Sequence, residues 1–496
     1  MTSRTRAFTI GALASLAGAA LAELFSGLAQ ARLSPVLAIG EWAITLTPGA
    51  VAERAIDVVG RLDKPLLIIG VVVGLVVFGG AAGVLMARSP AAGIAAYVVL
   101  SVVPLLAVLA ETDESGRAVL IVVISAVVTV VVAVAMLSGP RYQVVDRRTF
   151  LRDVAILGVG AAVVGIVGRW MVSASSAVQE ARANLNLPVD RPAAIDGAEV
   201  GVDGIAPWRT PNSDFYLIDT TLSPPLIKPE DWALRIHGMV DRELTLTYDD
   251  LVDRGLQKSW ITLCCVSNEV GGDLIGNTEW GGVPIKDLLE EVGVHPDADA
   301  LLSTSDDGWN CGTPLAALTD GRNALLAVTM DGEPLPVEHG FPVRMVVPGL
   351  YGYVSATKWV VDWEVTRFDD FDAYWTQRGW APKGPVKTQS RIDTPGEGDE
   401  LSAGKVSIGG VAWAQQRGIE LVEVRIDDGT WVAAELGRVP NVDTWVQWKY
   451  EWDADPGDHD IEVRATDSTG EVQTSRTQGT VPDGATGHHT ITVSVE

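Results

Sequence analysis

The sequence is poor in cysteine, histidine and positive charge, and each shortage removes a class of function. Three cysteines among 496 residues cannot build a disulfide-stapled scaffold. An odd number facing an oxidising compartment leaves at least one thiol with a task or a protected environment. The six histidines are His237, His295, His339, His459, His488 and His489. The apolar runs that precede them therefore offer no imidazole for the axial ligation of a membrane haem. Basic residues number 37 against 63 acidic ones, a net charge of −26. That balance works against binding nucleic acid and favours a basic partner or a salty, acidic-proteome setting.

Apolar side chains are abundant, at 47% of the chain, and mean hydropathy is positive. Five runs near the ~20 residues a bilayer core requires occupy Ala7 to Leu28, Pro65 to Ala87, Ala91 to Ala110, Ala118 to Leu137 and Val154 to Val172. They are rich in Gly, Ala, Val and Leu, and the small residues among these let membrane helices approach closely. Arg4 and Arg6 precede the first run, Arg88 follows the second, and Arg141, Arg147, Arg148 and Arg152 separate the fourth from the fifth; the acidic ETDESG follows the third. The positive-inside rule then predicts a cytoplasmic amino terminus and, after five crossings, an extracytoplasmic location for everything downstream. The stretch DRRTFLRDVAILGVGAAVVGIVG, from Asp146, resembles a twin-arginine signal of the kind that serves cargo folded before export. Glu23, inside the first run, reads either as a functional intramembrane carboxylate or as a contact with a neighbouring helix.

The segment SASSAVQEARANLNLPVDRPAAIDGAEVGVDGIAPW, from Ser173, is polar with Ala, Gly and Pro, as a tether should be. DWALRIHGMV and ELTLTY alternate like strands, while TYDDLVDRG and PIKDLLEEVG have helical periodicity. They predict a mixed α+β domain. From about Lys387 come KVSIGGVAWA, ELVEVRIDDGTWVAAEL, TWVQWKYEWDA, HDIEVRATDSTG and HHTITVSVE, broken by Asp-Gly, Pro-Gly and Thr-Gly turns. That pattern predicts a β-sandwich of immunoglobulin-like size. The expected organisation is a transmembrane region over 1–172, a linker over 173–209, an α+β domain over 210–375 and the sandwich over 385–496.

Cys264 and Cys265 stand side by side. A disulfide wants Cα atoms roughly 5–6 Å apart and adjacent ones are about 3.8 Å apart, so the two are poorly placed to bond each other. A single exported cysteine is ordinarily a small apolar residue in a buried strand. Here the context is TLCCVSN, Thr262 to Asn268, followed by WGGVPIKDLL, Trp280 to Leu289. Downstream lies GEPLPVEHGFPVRMVVPGLYGYVSATKWVVDWEV, Gly332 to Val365, with His-Gly-x-Pro-x-Arg and Ser-x-x-Lys-Trp in order. The three segments resemble the molybdenum-ligand and cofactor-binding segments of the sulfite oxidase family, and the resemblance covers about Thr210 to Glu496.

That resemblance implies a molybdenum-molybdopterin cofactor, with Cys265 as the metal-ligating and catalytic residue and Asn268 close by. A thiolate is a soft ligand suited to the metal beside pterin dithiolene sulfurs. The pterin phosphate calls for cations and backbone N–H donors, and the resemblance places Lys358 and the backbone of Ala356 and Thr357 there. It further places His339 and Arg344 on the cofactor, with Asn212 and Tyr216 of TPNSDFYLIDT and Ser305 of STSDDGW as additional contacts. The sandwich stands where the family has its dimerisation domain, which implies a homodimer.

Several positions depart from the family pattern. Where animal and plant members read Phe-Phe-x-Arg-Asn-His, this chain reads FYLIDT, with Ile218 for the arginine and Thr220 for the histidine. Glu269 and Val270 replace frequent arginines, Trp309 lies near an expected substrate-site tyrosine, and Arg417 is one register off a family arginine contributed by the second domain. A pocket stripped of positive charge receives a dianion poorly. The expected activity is two-electron oxygen-atom transfer on a small sulfur- or nitrogen-oxo substrate, in a cell-membrane protein with its catalytic domains outside the cytoplasm. Electrons would pass one at a time to an external carrier or a membrane redox protein. The alternatives are a sulfoxide reductase of the same fold and a cofactor-free, membrane-tethered binding or assembly module.

Overall fold

The computed structural model describes residues 3–29, 34–47, 63–110, 116–137, 160, 166, 176–188, 190 and 192–496. They fall into two compact units, one of residues 1–179 with 220–226, the other of residues 180–219 with 227–496.

In the first unit, helices follow the apolar runs: α1 (Ser3–Ala29), α2 (Pro35–Leu46), α3 (Asp63–Arg88), α4 (Pro90–Ala110) and α5 (Gly116–Leu137). Among the described residues, α1, α3, α4 and α5 are long and apolar enough to cross a membrane. The fifth expected span and the paired arginines lie outside the described residues, Gly160 and Ile166 excepted. The twelve-residue α2 is an addition; it is too short to span a bilayer. Ser34 starts it, its hydroxyl accepting from the Leu37 N–H at 3.3 Å. The same hydroxyl donates to Glu23 of α1, so Glu23 ties two helices together, the contact reading of the two the sequence left open.

Small residues set the packing. A Cβ on Gly83 of α3 would lie 2.7 Å from the Cα of Gly11 in α1, so the two backbones touch there. Outward, Phe78, Val99, Leu109 and Val131 are more than half exposed. Residues 220–226 join this unit through α2 and α3: the Glu41 carboxylate accepts from Leu222 N–H at 2.7 Å, and Lys64 Nζ donates to the Thr221 carbonyl at 2.8 Å.

The second unit begins within α6 (Ser176–Asn184), whose Arg182 grips the Pro334 and Leu335 carbonyls. Its first half carries β1 (Ala233–Gly238), β2 (Leu244–Thr247), α7 (Tyr248–Val252), β3 (Gln257–Cys264), β4 (Ile275–Pro284), α8 (Ile285–Val292), β5 (Ala300–Ser305), β6 (Asn310–Pro314), α9 (Leu315–Thr319), β7 (Leu325–Met330), β8 (Glu333–Pro334), β9 (Arg344–Val346) and β10 (Val360–Thr366). Two sheets result, in the order β2-β1-β10-β5-β6 and β3-β4-β7-β8 with β9 on β7; β1 and β10 are parallel.

Local sequence explains the pieces. Thr247 and Asp250 form a reciprocal capping box at α7. Helix α8 buries Ile285, Leu288, Leu289 and Val292, spaced 0, 3, 4 and 7 along one face, and ends at Gly293 with φ 71°. All six residues of β7 are buried, as a strand covered on both faces must be.

The carboxy-terminal half is β-rich: β11 (Gln389–Thr394), β12 (Glu400–Leu401), β13 (Gly404–Trp413), β14 (Ile419–Ile426), β15 (Val432–Ala433), β16 (Glu435–Leu436), β17 (Val446–Ala454), β18 (Gly457–Asp467) and β19 (His489–Val495). Sheets β11-β13-β17-β16 and β12-β19-β18-β14-β15 share a core in which Ile408, Trp448 and Trp452 of one meet Val424, Ile461 and Val493 of the other. The chain just before β17 also covers the free edge of β3. Thr262 N–H donates to the Asp443 carbonyl at 2.9 Å, and Gln415 Nε2 donates to the Thr262 carbonyl at 3.0 Å. This edge needs cover, because it leads straight into Cys264 and Cys265.

Candidate active site

Strand alternation separates the two cysteines. Cys264, the last residue of β3, joins the hydrophobic core between the sheets, whereas Cys265 begins a loop that runs to Leu274. Cys265 N–H donates to the Leu274 carbonyl at 2.9 Å, closing the loop. Inside it, Asn268 N–H donates to the Cys265 carbonyl and Asn268 Oδ1 accepts from Leu274 N–H at 2.8 Å. Asn268 is thus the loop's internal brace.

Burial pushes the Cys265 thiol up, while the Ser267 and Val266 N–H groups and the Ser267 hydroxyl pull it back. These donors favour a sulfur that carries negative charge. Cys264 is also pushed up by burial, with its neighbour Cys265 adding to the effect. The third cysteine, Cys311, is buried and raised to about 11. Its Sγ lies 3.2 Å from Thr357 Oγ1.

Opposite the loop stands Tyr216. Burial raises its hydroxyl, the two cysteines add to the shift and Arg344 opposes it, so one ring lies within electrostatic reach of all three. A Cβ on Gly352 would lie 3.7 Å from the Tyr216 hydroxyl and 3.9 Å from the Cys264 carbonyl. Phe215 stacks on Tyr216 and meets His339 edge-on, with centroids 5.8 Å apart.

His339 Nε2 is 3.2 Å from the Asn212 carbonyl. Burial, with Arg344 and Lys358 nearby, lowers its pKa to about 3, so the ring is neutral at ordinary pH and can donate from one nitrogen only. Gly340, at φ 109°, lets the chain fold back so tightly that a Cβ would meet Arg344 and Lys358. Asn212 Nδ2 donates to the Met330 carbonyl at 3.2 Å, while its Oδ1 is buried without a partner among the described residues.

Arg344 is the unusual group. It is 6% exposed and lies 5.0 Å from the centre of the Trp280 ring. Among the described residues it donates only to carbonyls: His339 at 3.0 Å, with Met345 and Ala356 each at 3.4 Å. No described carboxylate pairs with it, and burial lowers its pKa to about 10. A buried guanidinium held only by carbonyls awaits an anion or a polar ligand.

Lys358 differs from the expectation of a cation awaiting phosphate. Its Nζ donates to Asp219 Oδ2 at 2.8 Å and to the Glu338 carbonyl at 3.1 Å. Asp219 follows Ile218, one of the positions where the sequence departs from the expected basic pattern. Ala356 and Thr357 precede Lys358 and are held by Gly352 and Met345 through backbone hydrogen bonds. Ser305 ends β5, its N–H donating to the Trp309 carbonyl, and pairs with Val360 of β10. It therefore borders the Lys358 segment without reaching Cys265 through any described contact. Arg417 is engaged elsewhere: it pairs with Asp467 at 2.7 Å and donates to the Val386 carbonyl and Thr388 hydroxyl.

Sequence reasoning missed Asp219, Tyr351 and Arg391. The buried Tyr351 hydroxyl is raised by burial and by Cys264, and Arg391 reaches the cysteine loop from β11, donating to the Gly272 carbonyl at 2.7 Å. No motif marks any of the three in advance.

Among the described residues, no group of three or more His, Cys, Asp or Glu side chains gathers to hold a metal ion. A metal on Cys265 would need its other ligands from a bound organic group. The thiol among N–H donors, the carbonyl-held Arg344 and the bare Asn212 Oδ1 fit such a group with polar and anionic parts.

Residues 221–375 match the family described as "Oxidoreductase molybdopterin binding domain". The chain is 30% identical over 322 residues to mitochondrial sulfite oxidase of Drosophila melanogaster, covering 54% of this chain and 55% of that one. It is 29% identical over 180 residues to the uncharacterized oxidoreductase YuiH of Bacillus subtilis, covering 36% of this chain and 87% of that one. The sulfane dehydrogenase SoxCD of Paracoccus pantotrophus shares the fold, with a TM-score of 0.52 and 23% identity over 63% of this chain and 93% of that one. The chain spans about half the length of the mitochondrial sulfite oxidases it matches.

Proposed function

We propose that this chain, whose residues 221–375 form a molybdopterin-binding oxidoreductase domain of the sulfite oxidase family, is a membrane-anchored enzyme of oxygen-atom transfer. Its substrate would be a small sulfur- or nitrogen-oxo compound. The observation that carries this reading is Arg344: buried, cationic and, among the described residues, without a carboxylate, beside Tyr216 and the Cys265 loop.

Bound molybdenum-molybdopterin would supply the two-electron redox chemistry. Cys265 would ligate the metal, and the N–H groups of residues 266 and 267, which oppose the upward push of burial on its thiol, would support the bound thiolate. Arg344, neutral His339 and Asn212 would hydrogen-bond the organic part, and Lys358 with the backbone of Ala356 and Thr357 would face its phosphate. Ser305 borders that end. Asn268 would keep the cysteine loop closed. Electrons would leave or arrive singly through an external carrier or a membrane redox protein.

Four long apolar helices with exposed Phe78, Val99 and Val131 support insertion in a membrane as a multi-pass anchor, since such faces are unfavourable in water. The arginine distribution supports a cytoplasmic amino terminus, which with five crossings puts the catalytic part outside. The two-sheet carboxy-terminal half supports an immunoglobulin-like module, and its position, where the resembled family has its dimerisation domain, is the basis for reading a homodimer through it. The domain limits we assign are 1–172, 173–209, 210–375 and 385–496.

Substrate charge favours a second reading within the same chemistry. Ile218 is 48% exposed where the family pattern has an arginine. A neutral sulfoxide suits this surface better than the sulfite dianion. The test is to reduce the purified holoenzyme and follow its reoxidation by a panel of sulfoxides and N-oxides, beside reduction of the oxidised enzyme by sulfite. Turnover with any of them supports oxygen-atom transfer, and a fully metallated enzyme inert to all of them overturns it.

A further inference from the structure

The loop that begins at Cys265 is gripped from outside its own domain. Arg391 of β11 is 8% exposed. Its Nη1 donates to the Gly272 carbonyl at 2.7 Å, and its Nε pairs with Asp393 Oδ1 at 2.5 Å. Asp393 is fixed in turn, because its Oδ2 accepts from the Ala206 N–H at 2.9 Å. The guanidinium is thus aimed by a carboxylate that is itself held, and it spends a charge-assisted hydrogen bond on a single backbone carbonyl.

Gly272 occupies a sensitive point. Its N–H donates to the Glu269 carbonyl, and a Cβ there would press 2.7 Å against Asn268 Oδ1, the oxygen that holds Leu274. Leu274 in turn accepts the Cys265 N–H. A short hydrogen-bonded path therefore joins Arg391 to the backbone of the cysteine.

His489 of β19 presses on the preceding residue. Its Nδ1 accepts from the Ile392 N–H at 3.0 Å, which turns Nε2 toward Gly271. A Cβ on Gly271, at φ 79°, would lie 2.3 Å from that nitrogen. Two side chains from the β-rich half thus fix residues 271 and 272 from one side.

We infer that Arg391, aimed by Asp393 and seconded by His489, is a positioning residue that sets the placement of the Cys265 sulfur, so that the carboxy-terminal half forms part of the active-site scaffold. The inference rests on Cys265 being the metal ligand, and its test separates the two claims. The variants are Arg391→Met, which keeps bulk without the fork, and Arg391→Lys, which keeps the charge and one donor.

Hydrogen exchange of the full chain reads the clamp whether or not metal is bound. In Arg391→Met the amides of residues 265–274 should exchange at least about tenfold faster while β4 and β7 stay protected, with partial recovery in Arg391→Lys. In the holoenzyme the thiolate-to-metal absorption band should move in Arg391→Met and return toward its original position in Arg391→Lys. Unchanged loop exchange, or an equal loss of protection throughout both sheets, overturns the clamp. Faster loop exchange with an unmoved band overturns the positioning role. A chain that binds no molybdenum overturns the ligand reading and the positioning role with it, while exchange still reports on the clamp itself.

Discussion

Replacing Arg344 by methionine separates a ligand-binding arginine from a structural one. In the cofactor-free chain this guanidinium is costly: burial pulls its pKa down to about 10, a penalty on the charged form of about 3 kcal/mol. Against that stand one good hydrogen bond at 3.0 Å to the His339 carbonyl, worth about 1.5–3 kcal/mol for a charged donor, and two at 3.4 Å, near the weak limit. The Trp280 ring at 5.0 Å adds about 0.5–2 kcal/mol. The opposing effects nearly cancel, and methionine fills similar volume. Arg344→Met should therefore change the unfolding free energy of the cofactor-free chain by no more than about 1–2 kcal/mol, read by denaturant titration of tryptophan fluorescence. The same variant should retain little molybdenum when produced with cofactor supplied. A loss above about 3 kcal/mol, the cost of breaking a compensated buried pair, with undiminished molybdenum would refute the reasoning.

Other consequences are equally concrete. His339 takes up a proton only near pH 3 when folded but near 6.5 when unfolded, so the unfolded state binds the extra proton between these values. The cofactor-free chain should lose stability as pH falls through that window, by up to about 1.4 kcal/mol per unit. His339→Gln should flatten this slope in acid titrations, and an unchanged slope would contradict it. Lys358→Ala leaves Asp219 facing the phosphate end and should lower cofactor retention, while adding Asp219→Asn should recover part of it. A double-mutant cycle should give a coupling of about 1–3 kcal/mol, and strict additivity would count against the pairing. Leu288→Ala empties a fully buried site on α8 and should cost about 2–5 kcal/mol in the same fluorescence titration without altering the metal bound per folded chain.

What was legible in the sequence was what local pattern controls. The spacing of Ile285, Leu288, Leu289 and Val292 marked α8, and alternation marked β1, β2 and most strands of the β-rich half. Long apolar runs marked α1, α3, α4 and α5, whereas α2 passed unnoticed because its twelve residues fall below the length that signals a span. The cysteine pair was readable as motif, whose register singled out Cys265, and alternation at the end of β3 carries Cys264 into the core. Arg391 was invisible, since nothing in SRIDTP indicates a hydrogen bond to Gly272. That contact exists because the fold brings β11 beside the cysteine loop. The Lys358–Asp219 pair was hidden for the same reason: charge counts do not reveal which carboxylate a loop distant in sequence presents.

The most direct test of the whole account is the molybdenum and pterin content of the purified full chain, taken from a host able to make and export the cofactor, beside a Cys265→Ser variant. The account predicts stoichiometric molybdenum in the parent and its loss, or a changed metal spectrum, in the variant, with Cys264→Ser retaining the metal. No molybdenum in the parent, or the same content and spectrum in Cys265→Ser, would contradict it.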